Sequence, residues 1–255
     1  MTARAARILS SLVAVALTAA CTNYYEIPIE TPIRPKLDVS AFQRVLVAGF
    51  ISGGTDDVDG NLETTRLLRS QLRTKSEMRV IDTDVLPLMD VAAEGQGTEK
   101  AIETTAAGVP VAIKDDKDLE PYEHLFADVA YWKKVGEEYQ QPLIVTGTVM
   151  FAPQQRAGIV QRDQEVYDSL GRRRVVPVRT YMERKGFVLK PRFIFIDGRT
   201  GAVLHSENFR EEILYNANQT TPALSSYFEL MDRLIPSFLS TLSSQKIKGT
   251  RVLLQ

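Results

Sequence analysis

The sequence predicts an α/β (α+β) fold: a mixed β-sheet flanked by amphipathic helices, with one extended polar β-hairpin. Three observations predict it. Two continuous apolar runs of strand length, RVLVAGFIS (44–52) and LIVTGTVMF (143–151), are separated by stretches whose apolar residues recur at helical spacing. FVLKPRFIFI (187–196) then runs through DGRTG into AVLHSENFREEIL, a strand–turn–strand pattern in which Gly198 and Gly201 can take the positive φ a tight loop needs. A last amphipathic stretch, 222–242, closes the order β-α-β-α-β, strand meander, α.

At the amino terminus Arg4 and Arg7 precede ILSSLVAVAL (8–17), and Thr18, Ala19 and Ala20 lead to Cys21, the one cysteine of the chain. A membrane-crossing helix needs about 20 apolar residues, roughly twice this run. The layout is that of a cleaved export signal, residues 1–20. A cysteine directly after the small residues resembles a bacterial lipobox, with Thr18 standing where such boxes carry leucine. The resemblance implies that Cys21 is diacylated and that its new amino terminus takes a further, palmitate-type chain. Thr22 is not the aspartate that retains such lipoproteins in the inner membrane, which implies the periplasmic face of the outer membrane. Residues 21–41 then form the lipid anchor and a tether, whose Pro28, Pro32 and Pro35 favour extended backbone.

The periplasmic domain is expected over 42–245, with 246–255 as a carboxy-terminal tail. After the first strand, TDDVDGN offers several N-caps, and LETTRLLRSQLRTK (62–75) has helical spacing through Leu62, Thr65, Leu68 and Leu72. MRVID (78–82) reads as a short strand. Residues 94–118 are rich in glycine, threonine and charge, and read as an insertion that is either a partner-binding loop or disordered. EPYEHLFADVAYWKKVGEEYQ (120–140) reads as one amphipathic helix with Tyr122, Phe126, Val129, Trp132 or Lys133, and Gly136 along a face. The polar hairpin spans 155–186, with its turn at Asp168-Ser169-Leu170-Gly171. The last helix should bury Leu224, Tyr227 or Phe228, Met231, Leu234, Phe238 and Leu242.

The strings RVLVAGF, LRTKSEMRVID and QPLIVTGTV, and the phrase IDGRTGAVLHSENF, resemble a group of periplasmic lipoprotein domains. These include the curli secretion lipoprotein CsgG, the penicillin-binding-protein activator lipoproteins and the amino-terminal domain of TolB. Their strand–D–x–x–T–G–x–strand hairpin is matched by Asp197, Thr200, Gly201 and Val203. The resemblance implies an assembly or interaction factor, with a secretion-ring subunit or a peptidoglycan-synthase activator as alternatives. A membrane barrel strand needs about 9–11 residues with alternate positions apolar. Here Gln161, Asp163 and Glu165 fill one parity, while Arg162 and Gln164 interrupt the other, which argues against a pore. The short tether argues against reaching across the cell wall.

Composition narrows the chemistry. The 255 residues are 44% hydrophobic and 25% charged, ordinary globular values, and the formal net charge is -1, so nucleic acid is not an expected partner. A single cysteine excludes a disulfide within the chain. Asp56, Asp57 and Asp59 fail calcium-loop spacing and read as a helix entry. His124 and His205 stand in no nucleophile or metal motif, and Gly53-Gly54 lacks the other residues of a phosphate loop. No enzyme, metal or cofactor is expected. Arg172, Arg173, Arg174, Arg179 and Arg184, with Lys185, form the one basic cluster. It reads as a surface for an anionic partner or as charge that keeps an exposed edge from pairing. The partner expected is an envelope protein, besides the membrane held through the anchor; oligomeric state is left open, a homo-oligomer included.

Overall fold

The computed structural model describes residues 24–95, 113–216, 218–219 and 221–254. Cys21, the expected signal and most of the 94–118 insertion lie outside them. In chain order the strands and helices begin with β1 (Tyr24–Ile33), β2 (Arg44–Gly54), α1 (Gly60–Lys75), β3 (Arg79–Val80), α2 (Leu88–Gly95), α3 (Glu123–Ala127) and α4 (Val129–Glu138). They continue with β4 (Leu143–Tyr167), β5 (Arg173–Asp197), β6 (Val203–Asn208), β7 (Glu211–Asn216), α5 (Ala223–Leu242) and β8 (Gln245–Leu254). Two compact units result, Met1–Pro35 with Ser244–Gln255, and Lys36–Ser243.

In the first unit the expected tether and tail segments pair with each other. β1 and β8 run antiparallel from Tyr24 opposite Leu254 to Ile33 opposite Gln245. The backbone of β1 is extended, as its prolines require, and it gains a partner that the polar tail gave no reason to expect.

The second unit is a six-stranded sheet in the order β3-β2-β4-β5-β6, with β7 also on β5. β2 lies parallel to β3 and β4, and the remaining pairings are antiparallel. One face packs Val45, Val145, Phe193 and Phe195 against α1 and α5. The other packs Ile144, Met150, Ile194 and Ile196 against Leu125, Phe126 and Trp132 from α3 and α4. Both faces of the central strands are covered, which is why they read as unbroken apolar runs.

Local chemistry sets the element ends. Asp59 caps α1 by accepting from the Leu62 amide, and Arg73 and Lys75 stand in its last turn, where they complement the helix dipole. The expected single helix over 120–140 is broken. A 3-10 turn covers Asp116–Tyr122, and Asp128 restarts the helix by accepting from the amides of Ala130 and Tyr131. The restart shifts the helical phase, so Val129 is exposed while Trp132 and Gly136 stay buried. The strand expected after DGRTG likewise divides at Phe209, whose amide donates to the Pro191 carbonyl at 2.9 Å. In α5, Tyr227, Met231, Leu234, Phe238 and Leu242 are buried as expected, whereas Leu224 in the first turn is exposed.

The glycines of the first strand have a packing reason. A Cβ on Gly53 would lie 2.4 Å from the Ile113 side chain, and one on Gly54, at φ +108°, would lie 1.8 Å from the Phe151 carbonyl oxygen. Gly53-Gly54 therefore admits neighbouring chain, not phosphate. Across the sheet, DGRTG closes tightly. Asp197 accepts from the Arg199 amide at 2.8 Å and from its Nε at 3.0 Å, and the Gly201 amide donates to the Asp197 carbonyl at 2.7 Å.

Burial works to raise the Asp197 pKa, but the hydrogen bonds and charge of Arg199 outweigh it and hold the carboxyl below its ordinary value of 3.8. A depressed folded-state pKa contributes stability that is complete above the unfolded value and lost as pH falls through the folded one. Asp197→Asn is therefore expected to cost about 1–3 kcal/mol at neutral pH in denaturant unfolding. The gap to wild type should close in acid, below the ordinary carboxylate range.

Candidate functional site

β4 and β5 pair over their whole length, from Leu143 opposite Asp197 to Tyr167 opposite Arg173, with no register shift. Up to Phe151 the outer neighbour of β4 is β2, and from Arg184 to Leu189 the outer neighbour of β5 is β7. Beyond those partners a two-stranded ribbon continues alone, from Ala157 opposite Glu183 to its turn. At about 3.3 Å per residue it projects roughly 33 Å. This is the polar hairpin expected at 155–186.

The turn falls where DSLG places it. Asp168 accepts from the amides of Leu170 and Arg172, each at 2.9 Å, and from Arg172 Nε at 2.9 Å. Gly171 has φ +73°, the left-handed conformation that glycine adopts without strain.

Because the pairing joins even positions to even and odd to odd, parity assigns every side chain to a face. Odd positions continue the sheet face packed against α1 and α5. On the ribbon they carry Arg173 and Arg179 beside Asp163, Glu165 and Glu183, a set made neutral by Lys185 at the ribbon base. Ile159 pairs with Tyr181 there, both exposed. Even positions continue the face packed against α3 and α4. They carry Arg156, Arg162, Arg174 and Arg184 and no carboxylate, interleaved with Val160, Val166, Val176, Val178 and Met182.

The basic cluster of the sequence is thus divided. Arg172 is bound to Asp168 in the turn, and Arg173 pairs with Glu165. Arg179 lies on the neutral face; Arg174 and Arg184 lie on the cationic one. Arg156 and Arg162, outside the sequence cluster, complete that face. Arg156 and Arg184 are directly opposite, an unfavourable like-charge pair that Arg156 relieves by reaching Glu212 of β7 at 2.8 Å. Among the described residues Arg162, Arg174, Arg179 and Arg184 have no carboxylate within salt-bridge distance. Nearer the body, the same even face has its cations neutralised: Lys190 pairs with Asp116, and Arg192 with Glu123 at 2.6 Å.

The other candidates have local roles. Asp57 bonds the Thr55 hydroxyl, Asp59 caps α1, and no group of three metal-ligating side chains occurs among the described residues. His124 Nδ1 lies 2.6 Å from the Pro121 carbonyl, and His205 Nε2 lies 3.5 Å from Glu207. Glu207 also receives Lys36 and, at 2.9 Å, the Thr241 hydroxyl, so this group joins the start of the domain to its last helix. A cleft of about 560 Å³ at the ribbon base is lined by Gln155, Lys185, Phe187 and Tyr215. One of about 290 Å³ on the opposite face contains the Asp116–Lys190 and Glu123–Arg192 pairs. Neither of these two clefts is lined by a histidine. Among the described residues no helix is long and apolar enough to cross a membrane.

No protein-family profile matches the chain, and no curated protein matches its sequence. Among solved structures it is similar to lipoprotein GNA1162 from Neisseria meningitidis, with 11% identity and TM-score 0.34, over 79% of this chain and 99% of that one. It is also similar to a neuraminyllactose-binding hemagglutinin homolog from Helicobacter pylori, with 9% identity and TM-score 0.33, over 84% of this chain and 87% of the other. These are likenesses of outline, at a level that carries no functional weight.

The Asp168 carboxyl is held below its ordinary value first by the Arg172 amide; loss of solvent opposes this, and the Leu170 amide and the Arg172 side chain add to the lowering. Its hold on the turn is complete above the ordinary carboxylate value and lost as pH falls through the lowered one. Asp168→Ala should speed amide exchange of the ribbon around Val166 and Arg174 by roughly tenfold, as local opening without global unfolding. Amides of the buried segment 143–151 should exchange as in wild type.

Proposed function

We propose that the protein is an outer-membrane-anchored periplasmic lipoprotein that acts without catalysis as an interaction factor in the cell envelope. Cys21 carries the acyl anchor, and the projecting ribbon is the contact surface. The observation that carries the reading is the ribbon itself. A two-stranded hairpin alone in water is marginally stable, yet here it continues the central sheet outward with Ile159, Val166, Val175, Val176, Tyr181 and the unpaired arginines exposed. The lipobox-like LTAAC supports the anchor.

A second reading, a subunit of a secretion or appendage-assembly ring, is favoured by one feature. Both backbone edges of the ribbon are open from Ala157 to Glu183, so neighbouring copies could add strands to it. Charge on both parities weighs against a lipid-spanning barrel in either reading.

Expressed at full length in a bacterial host, wild type should be cut before Cys21, gain acyl mass and fractionate with the outer membrane. Cys21→Ala should lose all three properties, and an unchanged product would remove the anchor. A photo-crosslinker at Val176 on the ribbon should give discrete adducts in living cells, and one at the exposed Arg66 of α1 should not. Equal yields from the two positions would remove the ribbon as contact surface.

A further inference from the structure

Resting on the ribbon as contact surface, we propose that its even face lies on an anionic lipid leaflet, with Arg162, Arg174 and Arg184 each meeting a headgroup phosphate. Charge complementarity selects the sign. The even face carries four arginines and no acid, whereas the odd face places Asp163, Glu165 and Glu183 where they would repel such a leaflet. Only one of the two faces can approach, so the ribbon has a defined orientation on the surface.

Spacing selects the class of partner. Counted along the ladder, Arg184 stands opposite position 156, Arg162 six residues further out, and Arg174 opposite position 166. At about 3.3 Å per residue, successive arginines are roughly 20 and 13 Å apart, too far for one phosphate to bridge. A repeating array of anions fits that spacing. Between the arginines the face presents Val160, Val166, Val176, Val178 and Met182, with Gln164 and Thr180 as the main polar interruptions. Arginine stems lie along apolar surface while their guanidinium groups stay with water and phosphate, and the valines sit at the acyl boundary. None of the three arginines lines either cleft described above, so recognition is by charge and area. The other cations of this face nearer the body are paired with Glu212, Asp116 and Glu123, which leaves the free charge to Arg184 at the ribbon base and to Arg162 and Arg174 on the projecting part.

The test uses the chain from Thr22 onward, so that neither an acyl chain nor the uncut apolar signal confounds binding, in sedimentation with vesicles of phosphatidylcholine alone or with about 30 mol% phosphatidylglycerol. Two triple variants are compared, Arg162→Glu/Arg174→Glu/Arg184→Glu on the even face and Arg173→Glu/Arg179→Glu/Lys185→Glu on the odd face. They change net charge equally and alter opposite faces, the odd-face triple also removing the Arg173–Glu165 pair. Each basic residue near an anionic surface is worth about a fivefold change in binding, so loss of the three, before any repulsion by the new glutamates, should weaken binding of the even-face triple to anionic vesicles by at least about 100-fold. The odd-face triple should stay within about threefold of wild type, and wild-type binding should weaken as salt rises.

Equal losses in both triples, or a wild type that does not distinguish the two vesicles, overturn the inference. Unchanged circular dichroism and thermal midpoint in both triples show that the comparison concerns the surface; if either melts early, the same positions changed to glutamine replace it. The Val176 crosslink separates this inference from the reading beneath it. A protein adduct there, with vesicle binding unaffected by the even-face triple, sinks the lipid inference and leaves the contact surface standing. No excess adduct of either lipid or protein sinks the contact surface itself.

Discussion

The unbroken ladder between β4 and β5 is the constraint on which the rest of the molecule depends. Its inner third forms the middle of the sheet, where Ile144, Val145, Phe193 and Phe195 fill both cores. Its outer part has no neighbouring strand. The two are one object, so the register fixed by burial is transmitted to the exposed part. A slip of one residue would turn Val145 and Phe195 to the wrong core, and the cost of that slip keeps the arginines of the ribbon on their face. Close approaches along the way reinforce it. A Cβ on Gly147 would lie 1.8 Å from the Arg192 carbonyl oxygen, and one on Gly186 would lie 1.9 Å from the Ile213 carbonyl oxygen, so the sheet is pinned at two levels inward of the point where the ribbon leaves it.

Charge is handled differently along that one ladder. Near the body Arg192, Lys190 and Arg156 have carboxylates from other elements: Glu123 and Asp116 from beside α3, and Glu212 from β7. Further out those elements are absent, and the arginines extend into solvent. The same transition appears in the backbone. β5 exchanges β7 for β6 as outer neighbour across Lys190 and Pro191, and a proline, having no amide hydrogen, suits a position between two pairings. The free charge of the ribbon therefore follows from topology as much as from composition, because the acids are present in the chain but carried by elements that stop short.

The main architecture was legible in the sequence because burial on two faces writes itself as continuous apolar runs, as at 44–52 and 143–151. The last helix and the turn after Asp197 were legible for similar reasons, spacing in one case and glycines in the other. The break at Asp128 was not, since a lone aspartate inside an amphipathic pattern reads as a surface residue until its side chain is seen to cap a new helix. The pairing of β1 with β8 joins segments more than 200 residues apart, and neither carries a pattern that names the other. For the candidate surface, the sequence showed arginines adjacent along the chain, whereas neighbours on a strand point to opposite faces. Counting outward from the turn, with Tyr167 opposite Arg173, would have replaced that linear cluster by Arg156, Arg162, Arg174 and Arg184.

Parity also constrains how such a ribbon can change in length over evolution. Loss of one residue from each strand between the sheet and the turn preserves every pairing but rotates all that lies beyond it to the other side. The arginines would then look the way the acids do now. Only losses or gains of two residues per strand, four per hairpin, leave the outer side chains facing as before. Homologues that share this surface should therefore differ in ribbon length by multiples of four residues, and any that differ by two should have exchanged the chemistry of the two faces beyond the point of change.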